Sequence, residues 1–171
     1  ASYATSPLLP QVRQFAGDAM LQQGDAAGAV KALNVLREEI VGGKIPADEW
    51  TDRVWIVLAE ASLALKDYER IDALNTELMQ RSEKTHFAFQ MMDIQGRRWK
   101  QQSPPNFEKA REYFAKVTAD TDGQGTETAA RCQFLLAETL VMESKLDEAV
   151  KEYLKVYFNY SYAELRAQAL F

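Results

Sequence analysis

Four short stretches of this chain look alike: Gly24-Asp25-Ala26-Ala27-Gly28-Ala29, Lys66-Asp67-Tyr68-Glu69-Arg70-Ile71, Pro105-Asn106-Phe107-Glu108-Lys109-Ala110 and Ser144-Lys145-Leu146-Asp147-Glu148-Ala149. Their last residues are spaced 42, 39 and 39 positions apart. Each stretch follows one amphipathic segment and opens another. A near-constant period of this size predicts stacked helix pairs, in which each unit buries its apolar faces against its neighbours.

Inside each unit the apolar residues recur at helical spacing. The pattern predicts helices in pairs over 10–23 and 26–41, 48–64 and 67–82, 86–101 and 106–119, and 127–143 and 146–159, with a ninth beginning near 162. In the last pair Leu146, Ala149, Val150, Tyr153, Leu154, Val156 and Tyr157 form a stripe wide enough to pack on two sides. Breakers fall between helices: Gly42-Gly43-Lys44-Ile45-Pro46, Pro104-Pro105 at a helix start, and Asp120 to Gly125. Strand signals are nearly absent.

Composition narrows the function classes. With 47% hydrophobic and 26% charged residues, the 171-residue chain has the material for an ordered core. A net charge of −5 argues against nucleic acid as the main partner. No apolar run is long enough for a membrane-spanning helix, since the stretch Trp55 to Leu65 is broken by Glu60 and Ser62. The single cysteine, Cys132, makes no internal disulfide, which suits cytoplasm or periplasm alike.

The four units resemble tetratricopeptide repeats. That family places small residues where the paired helices cross, and here those pairs are Gly17 with Ala29, Ala59 with Ile71, Gly96 with Ala110, and Ala137 with Ala149. Trp55 stands at the early large position of a first helix. Phe114 and Tyr153 stand at the second-helix aromatic position, and Leu36, Leu78, Val117 and Val156 at its later apolar position. The chain departs from the family in its longer period, against about 34 residues, in two extra residues before Pro105, in Ile71 for alanine and in Asn75 for an aromatic. The segment Phe158-Asn159-Tyr160-Ser161 is most similar to bacterial cell-envelope members, which implies periplasm or envelope. The resemblance implies an all-α, right-handed α-solenoid of about four helix pairs plus one C-terminal helix, with an N-terminal extension over 1–9 and one repeat domain over 10–171.

Candidate chemistry is sparse. His86, the only histidine, has no neighbouring ligand or orienting pair in the sequence and reads as a helix-start or surface residue. Cys132 lacks an activating histidine or a CxxC partner and reads as a small buried residue. Asp120-Thr121-Asp122-Gly123 suggests a calcium loop, but the register puts Ala129 where the bidentate glutamate belongs, so an Asx turn fits better. Gly42-Gly43-Lys44 is not a phosphate loop. Met91, Met92 and Trp99 read as core filling ahead of a methionine-rich groove. The sequence therefore predicts no catalytic residue, no metal and no cofactor. An enzyme reading resting on Glu60 and Glu138 as paired carboxylates has no nucleophile or cofactor fingerprint behind it.

In the resembled fold the first helix of each pair lines a concave face. The register gives one row of Gln11, Arg53, Gln90 and Arg131, a second of Gln14, Ile56, Asp93 and Phe134, and a third of Asp18, Glu60, Arg97 and Glu138. The expected function is a protein-interaction scaffold that holds a peptide or protein segment on Arg53, Ile56, Glu60, Asp93, Arg97, Arg131, Phe134 and Glu138. The competing expectation within the third row is that Arg97 pairs with Glu60 and Glu138 and neutralises the groove. The rival function is a structural subunit that joins an assembly through its end faces. Ser161-Tyr162-Ala163-Glu164 reads as a capping box that opens a helix carrying Leu165, Ala169, Leu170 and Phe171. That helix is expected to be the first half of a fifth repeat in a longer chain, and to drive self-association through its apolar side.

Overall fold

The computed structural model describes residues 6–82 and 86–170. Among them are nine α-helices and no strand: α1 Leu9–Gln22, α2 Ala26–Val41, α3 Glu49–Ala64, α4 Tyr68–Arg81, α5 Ala88–Gln101, α6 Phe107–Ala119, α7 Glu127–Met142, α8 Leu146–Asn159 and α9 Ala163–Gln168. The first eight match the predicted ranges to within two residues at each end. The chain divides into two compact units, Ala1–Ala88 and Phe89–Phe171. In the first, α1 packs on α2, α2 on α3, and α3 on α4. In the second, α6 packs on α7, α7 on α8, and α9 on both α7 and α8.

The repeated stretches are the turns that start the second helices. The Asp25 side chain accepts the Gly28 amide at 2.8 Å, Asp67 accepts Arg70 at 3.2 Å, and Asn106 accepts Lys109 at 3.0 Å. Each satisfies an amide that the helix itself leaves unpaired. The fourth turn has Lys145 at this position and no side-chain cap. Gly24, Lys66 and Ser144 precede the caps with φ of 84°, 58° and 61°. This left-handed residue lets the next amide donate back into the preceding helix: Asp25 to Met20 at 2.9 Å, Asp67 to Ser62 at 2.8 Å, and Lys145 to Leu140 at 2.9 Å. Proline at position 105 cannot take that conformation. Its unit spans the same turn with the two extra residues, and the Asn106 amide donates to Trp99 at 2.9 Å instead.

The cores repeat with the turns. Ala29, Ile71, Ala110 and Ala149 are buried, as are Leu36, Leu78, Val117, Val156 and Trp55. At two crossings the closest approach falls one turn beyond the expected alanine. A methyl group on Gly17 would lie 2.5 Å from Leu33 Cγ, and one on Gly96 would lie 2.6 Å from Phe114 Cδ1. Met91 is buried, while Met92 and Trp99 pack against the cluster of Ala110, Phe114, Val117 and Cys132.

The ninth helix corrects one expectation. Ser161 does not cap it: the N-cap is Tyr162, with no side-chain cap bond, and the helix has six residues. Aromatic anchoring sets its start. Tyr160 is buried in the second unit's cluster, and the Tyr162 hydroxyl donates to the Gly125 carbonyl at 2.9 Å. These two tie-downs hold the chain extended past Ser161. Leu165 packs inward on the same cluster and Leu170 is exposed. Phe171 lies outside the described residues. No helix among the described residues is long and apolar enough to cross a membrane.

Candidate binding surface

In the first unit, α1 and α3 carry Gln14, Asp18, Arg53, Ile56 and Glu60. Gln14 Nε2 donates to Asp18 Oδ2 at 2.8 Å, and Arg53 Nη2 meets the same oxygen at 2.9 Å. Ile56 is buried, and Glu60 is half-buried and engaged by a partner. Arg53 therefore joins two first helices instead of standing ready for a ligand.

The second unit repeats the device at greater depth. Asp93 on α5 is fully buried. Its Oδ2 accepts Arg131 Nε at 3.1 Å and Nη2 at 2.8 Å from α7, and Arg97 Nη2 lies 3.1 Å away from the same helix as Asp93. Cys132 Sγ sits 3.7 Å from the other oxygen. A buried carboxylate needs such partners, because burial without them is costly. Glu138 pairs with Lys100 at 2.6 Å, a residue the row register did not single out. The Phe134 ring meets the Tyr153 ring edge-on at 5.3 Å between centroids. Burial first, and then the nearby Glu138 carboxylate, push the Tyr153 hydroxyl above its usual range.

Within each unit the structure brings predicted residues together in ion pairs, Arg53 with Asp18, and Arg131 and Arg97 with Asp93. Ile56 and Asp93 are interior residues. Register identifies a helix face but not its depth, and the Asp93–Arg131 pair bridges helices 38 residues apart in sequence.

The other candidates lie apart from these rows. His86 is exposed, with Nε2 3.5 Å from Glu49 Oε1. It borders an open cavity that includes Asp52 and Arg81. There Arg81 Nε donates to Asp52 at 3.1 Å and Nη2 to Thr51 at 2.9 Å, so those charges are engaged. Burial, reinforced by the Asp93 charge, pushes the Cys132 thiol well above the usual thiol range. The Asp122 amide donates to Asp120 Oδ1 at 2.9 Å, which is an Asx turn. No group of three or more potential metal-ligating His, Cys, Asp or Glu side chains occurs among the described residues.

The surface that sequence reasoning missed is apolar. Leu8, Val12 and Phe15 are exposed along α1, and Leu146, Val150, Leu154 and Phe158 along α8. Periodicity marks such residues as core, because a helix with a covered face and one with an uncovered face share the same spacing. No family model matches this chain, and no curated protein or solved structure matches it either.

Proposed function

We propose that this chain is a tetratricopeptide-like, right-handed helical-repeat scaffold that works by protein–protein contact through exposed apolar helix faces, as a structural subunit of a larger assembly. The observation that carries this reading is the contrast between its two kinds of surface. Arg53 is held by Asp18, and Arg97 and Arg131 by Asp93, whereas the α1 and α8 faces present large apolar side chains to solvent. Contiguous exposed apolar surface marks interaction sites. The groove reading asks more of a ligand. To take Arg131 from Asp93, a peptide would have to deprive a fully buried carboxylate of one of its two cations, at a cost of about 1–3 kcal/mol.

The support for the repeat reading is the recurrence of buried positions with the turns. Residues 29, 71, 110 and 149 are all buried, and so are residues 36, 78, 117 and 156. An enzyme reading has no comparable support. At the α9 end Leu165 packs inward while Leu170 is exposed, so that end offers less apolar surface for self-association than a fully uncovered helix would.

Affinity purification from the source organism tests the function. The parent chain is compared with Phe15→Glu on the α1 face, Val150→Glu on the α8 face, and a groove variant, Arg53→Ala with Phe134→Ala. Partners lost with a face variant and kept by the groove variant support the proposal. Partners lost only with the groove variant overturn it in favour of peptide capture. Absence of any specific partner overturns the scaffold reading.

A further inference from the structure

One repeat position changes its chemistry in the last unit. The register that aligns Arg53, Gln90 and Arg131 places Gln133 where the two preceding units carry Trp55 and Met92. Trp55 is fully buried, and Met92 packs against the second unit's cluster. Gln133 is buried too, at 5% exposure. An amide therefore stands where the repeat otherwise places a large apolar side chain. Such a replacement contributes less to the core, and it costs free energy wherever the amide lacks partners.

Beside Gln133 lies a cavity of about 420 Å³, formed within the second unit by the end of α6, the loop that follows, α7 and the end of α8. Its size falls in the range of small-molecule sites. Gln133 and Tyr160 are the buried residues of its lining, whereas Gln124, Lys155 and Asn159 are exposed. Gln133 Nε2 donates to Glu152 Oε2 at 2.6 Å, but its Oε1 accepts nothing among the described residues. The Tyr160 hydroxyl is likewise without a hydrogen-bond partner among them. Both oxygens are accessible, so the cavity is where their bonds can be made. The loop beside them is already held in place. The Tyr162 hydroxyl donates to the Gly125 carbonyl at 2.9 Å, and the Gln124 backbone amide to the Asp120 carbonyl at 3.1 Å.

The lining also selects the chemistry of a ligand. Among the described residues no carboxylate lines the cavity, and its cation, Lys155, is engaged by both oxygens of Glu152 at 2.8 Å. A cationic ligand would find no counter-charge there, and an anionic one only a neutralised charge. Gln124, Gln133, Asn159 and Tyr160 are neutral, and each can both donate and accept. The ligand groups that match them do the same, and hydroxyls are the compact groups that do. We infer that this cavity binds a small uncharged polyhydroxyl compound, a sugar, with Gln133 and Tyr160 as the buried hydrogen-bonding pair and Gln124 and Asn159 at the rim. This site is independent of the scaffold reading.

Saturation-transfer NMR of the whole chain with glucose, galactose, mannose and N-acetylglucosamine, followed by titration, tests this. Tetraglycine and acetate serve as amide and anion probes. The expected result is saturable binding of at least one sugar, in preference to tetraglycine and acetate. Tyr160→Phe removes only the hydroxyl, and Gln133→Met puts in the third unit's residue. Each is expected to weaken sugar binding by about tenfold. Gln133→Met strands no charge, because Glu152 keeps Lys155, so helix content should be unchanged. Should that variant fail to fold, Tyr160→Phe alone decides. The inference is overturned if no sugar binds, if either folded variant binds the sugar as tightly as the parent, or if tetraglycine or acetate is preferred.

Discussion

A methyl group added to Gly96 would sit 2.6 Å from Cδ1 of Phe114, inside any permissible carbon–carbon contact. The phenyl ring, fully buried, lies against the bare backbone of α5, and this contact helps hold α5 to α6. Gly17 and Leu33 stand in the same relation in the first unit. Two crossings built alike, with glycine under a large side chain, are what a repeated helix pair requires where its backbones come closest.

Gly96→Ala is expected to lower stability by about 1–3 kcal/mol, because the ring is enclosed and has little freedom to withdraw. Helix propensity alone would favour alanine by roughly 0.8–1.0 kcal/mol, so the sign of the change decides which effect wins. Urea denaturation followed by circular dichroism measures it, and a stabilised variant would show that Phe114 moves aside.

Ala149→Leu tests the crossing in the last helix pair. Ala149 and Ala137 are both buried, and the larger side chain should overpack the contact at a cost of about 1–3 kcal/mol. Coincident urea melts for variant and parent would mean that the α7–α8 crossing tolerates the added volume and is not tightly packed.

Much of this arrangement is legible in the sequence, because its signals are local. Asp25, Asp67 and Asn106 announce helix starts within a few residues of themselves, and the apolar spacing marks Leu36, Leu78, Val117 and Val156 as interior. What is not legible depends on distant partners. Ser161 and Glu164 have the spacing of a capping box, but Tyr160 and Tyr162 are tied to the second unit's core and to Gly125, and those contacts set the helix start. Asp93 lies in a polar row by register, and only Arg131 on another helix explains why a carboxylate there can be buried. The face of α1 carries the same spacing as a core face, so its exposure is invisible until neighbouring helices are in place.

Ser144→Gly is expected to stabilise the chain by about 0.5–1 kcal/mol. Ser144 holds a φ of 61°, where a side chain on an L-residue costs about 1–2 kcal/mol. Glycine removes that cost and gives back part of the gain in unfolded-state entropy. Gly24 already occupies the equivalent place in the first turn. Thermal melts compare the two, and a lower melting temperature for Ser144→Gly would mean that the hydroxyl contributes more than the backbone strain costs.

Arg131→Ala is expected to destabilise the second unit by about 1–3 kcal/mol, since it removes a charged donor from a buried acceptor. Asp93 would keep Arg97, which limits the loss. Arg53→Ala removes a partner from the better-exposed Asp18 and should cost no more than about 1 kcal/mol. Equal costs for the two substitutions, read from denaturant melts, would contradict the difference in depth between the two acceptors.

Alkaline pH should weaken the fold in part through Cys132. Its thiol pKa is raised in the folded chain, chiefly by burial and then by the Asp93 charge, whereas the unfolded thiol ionises near its ordinary value of about 8.5. Above that pH the unfolded chain binds fewer protons at this site than the folded chain does. Stability is therefore fully present below the unfolded value and declines as pH rises, by up to about 1.4 kcal/mol per pH unit from this group. Tyr153 and Tyr160, also raised by burial, extend the decline above the usual phenol range. Cys132→Ala should flatten the slope between the thiol and phenol ranges while leaving the higher part in place. The same burial predicts that a thiol reagent labels Cys132 in the parent chain only as fast as the fold opens. Labelling at the rate of a free thiol under native conditions would show instead that the packing of α5 on α7 around Asp93 is open to solvent.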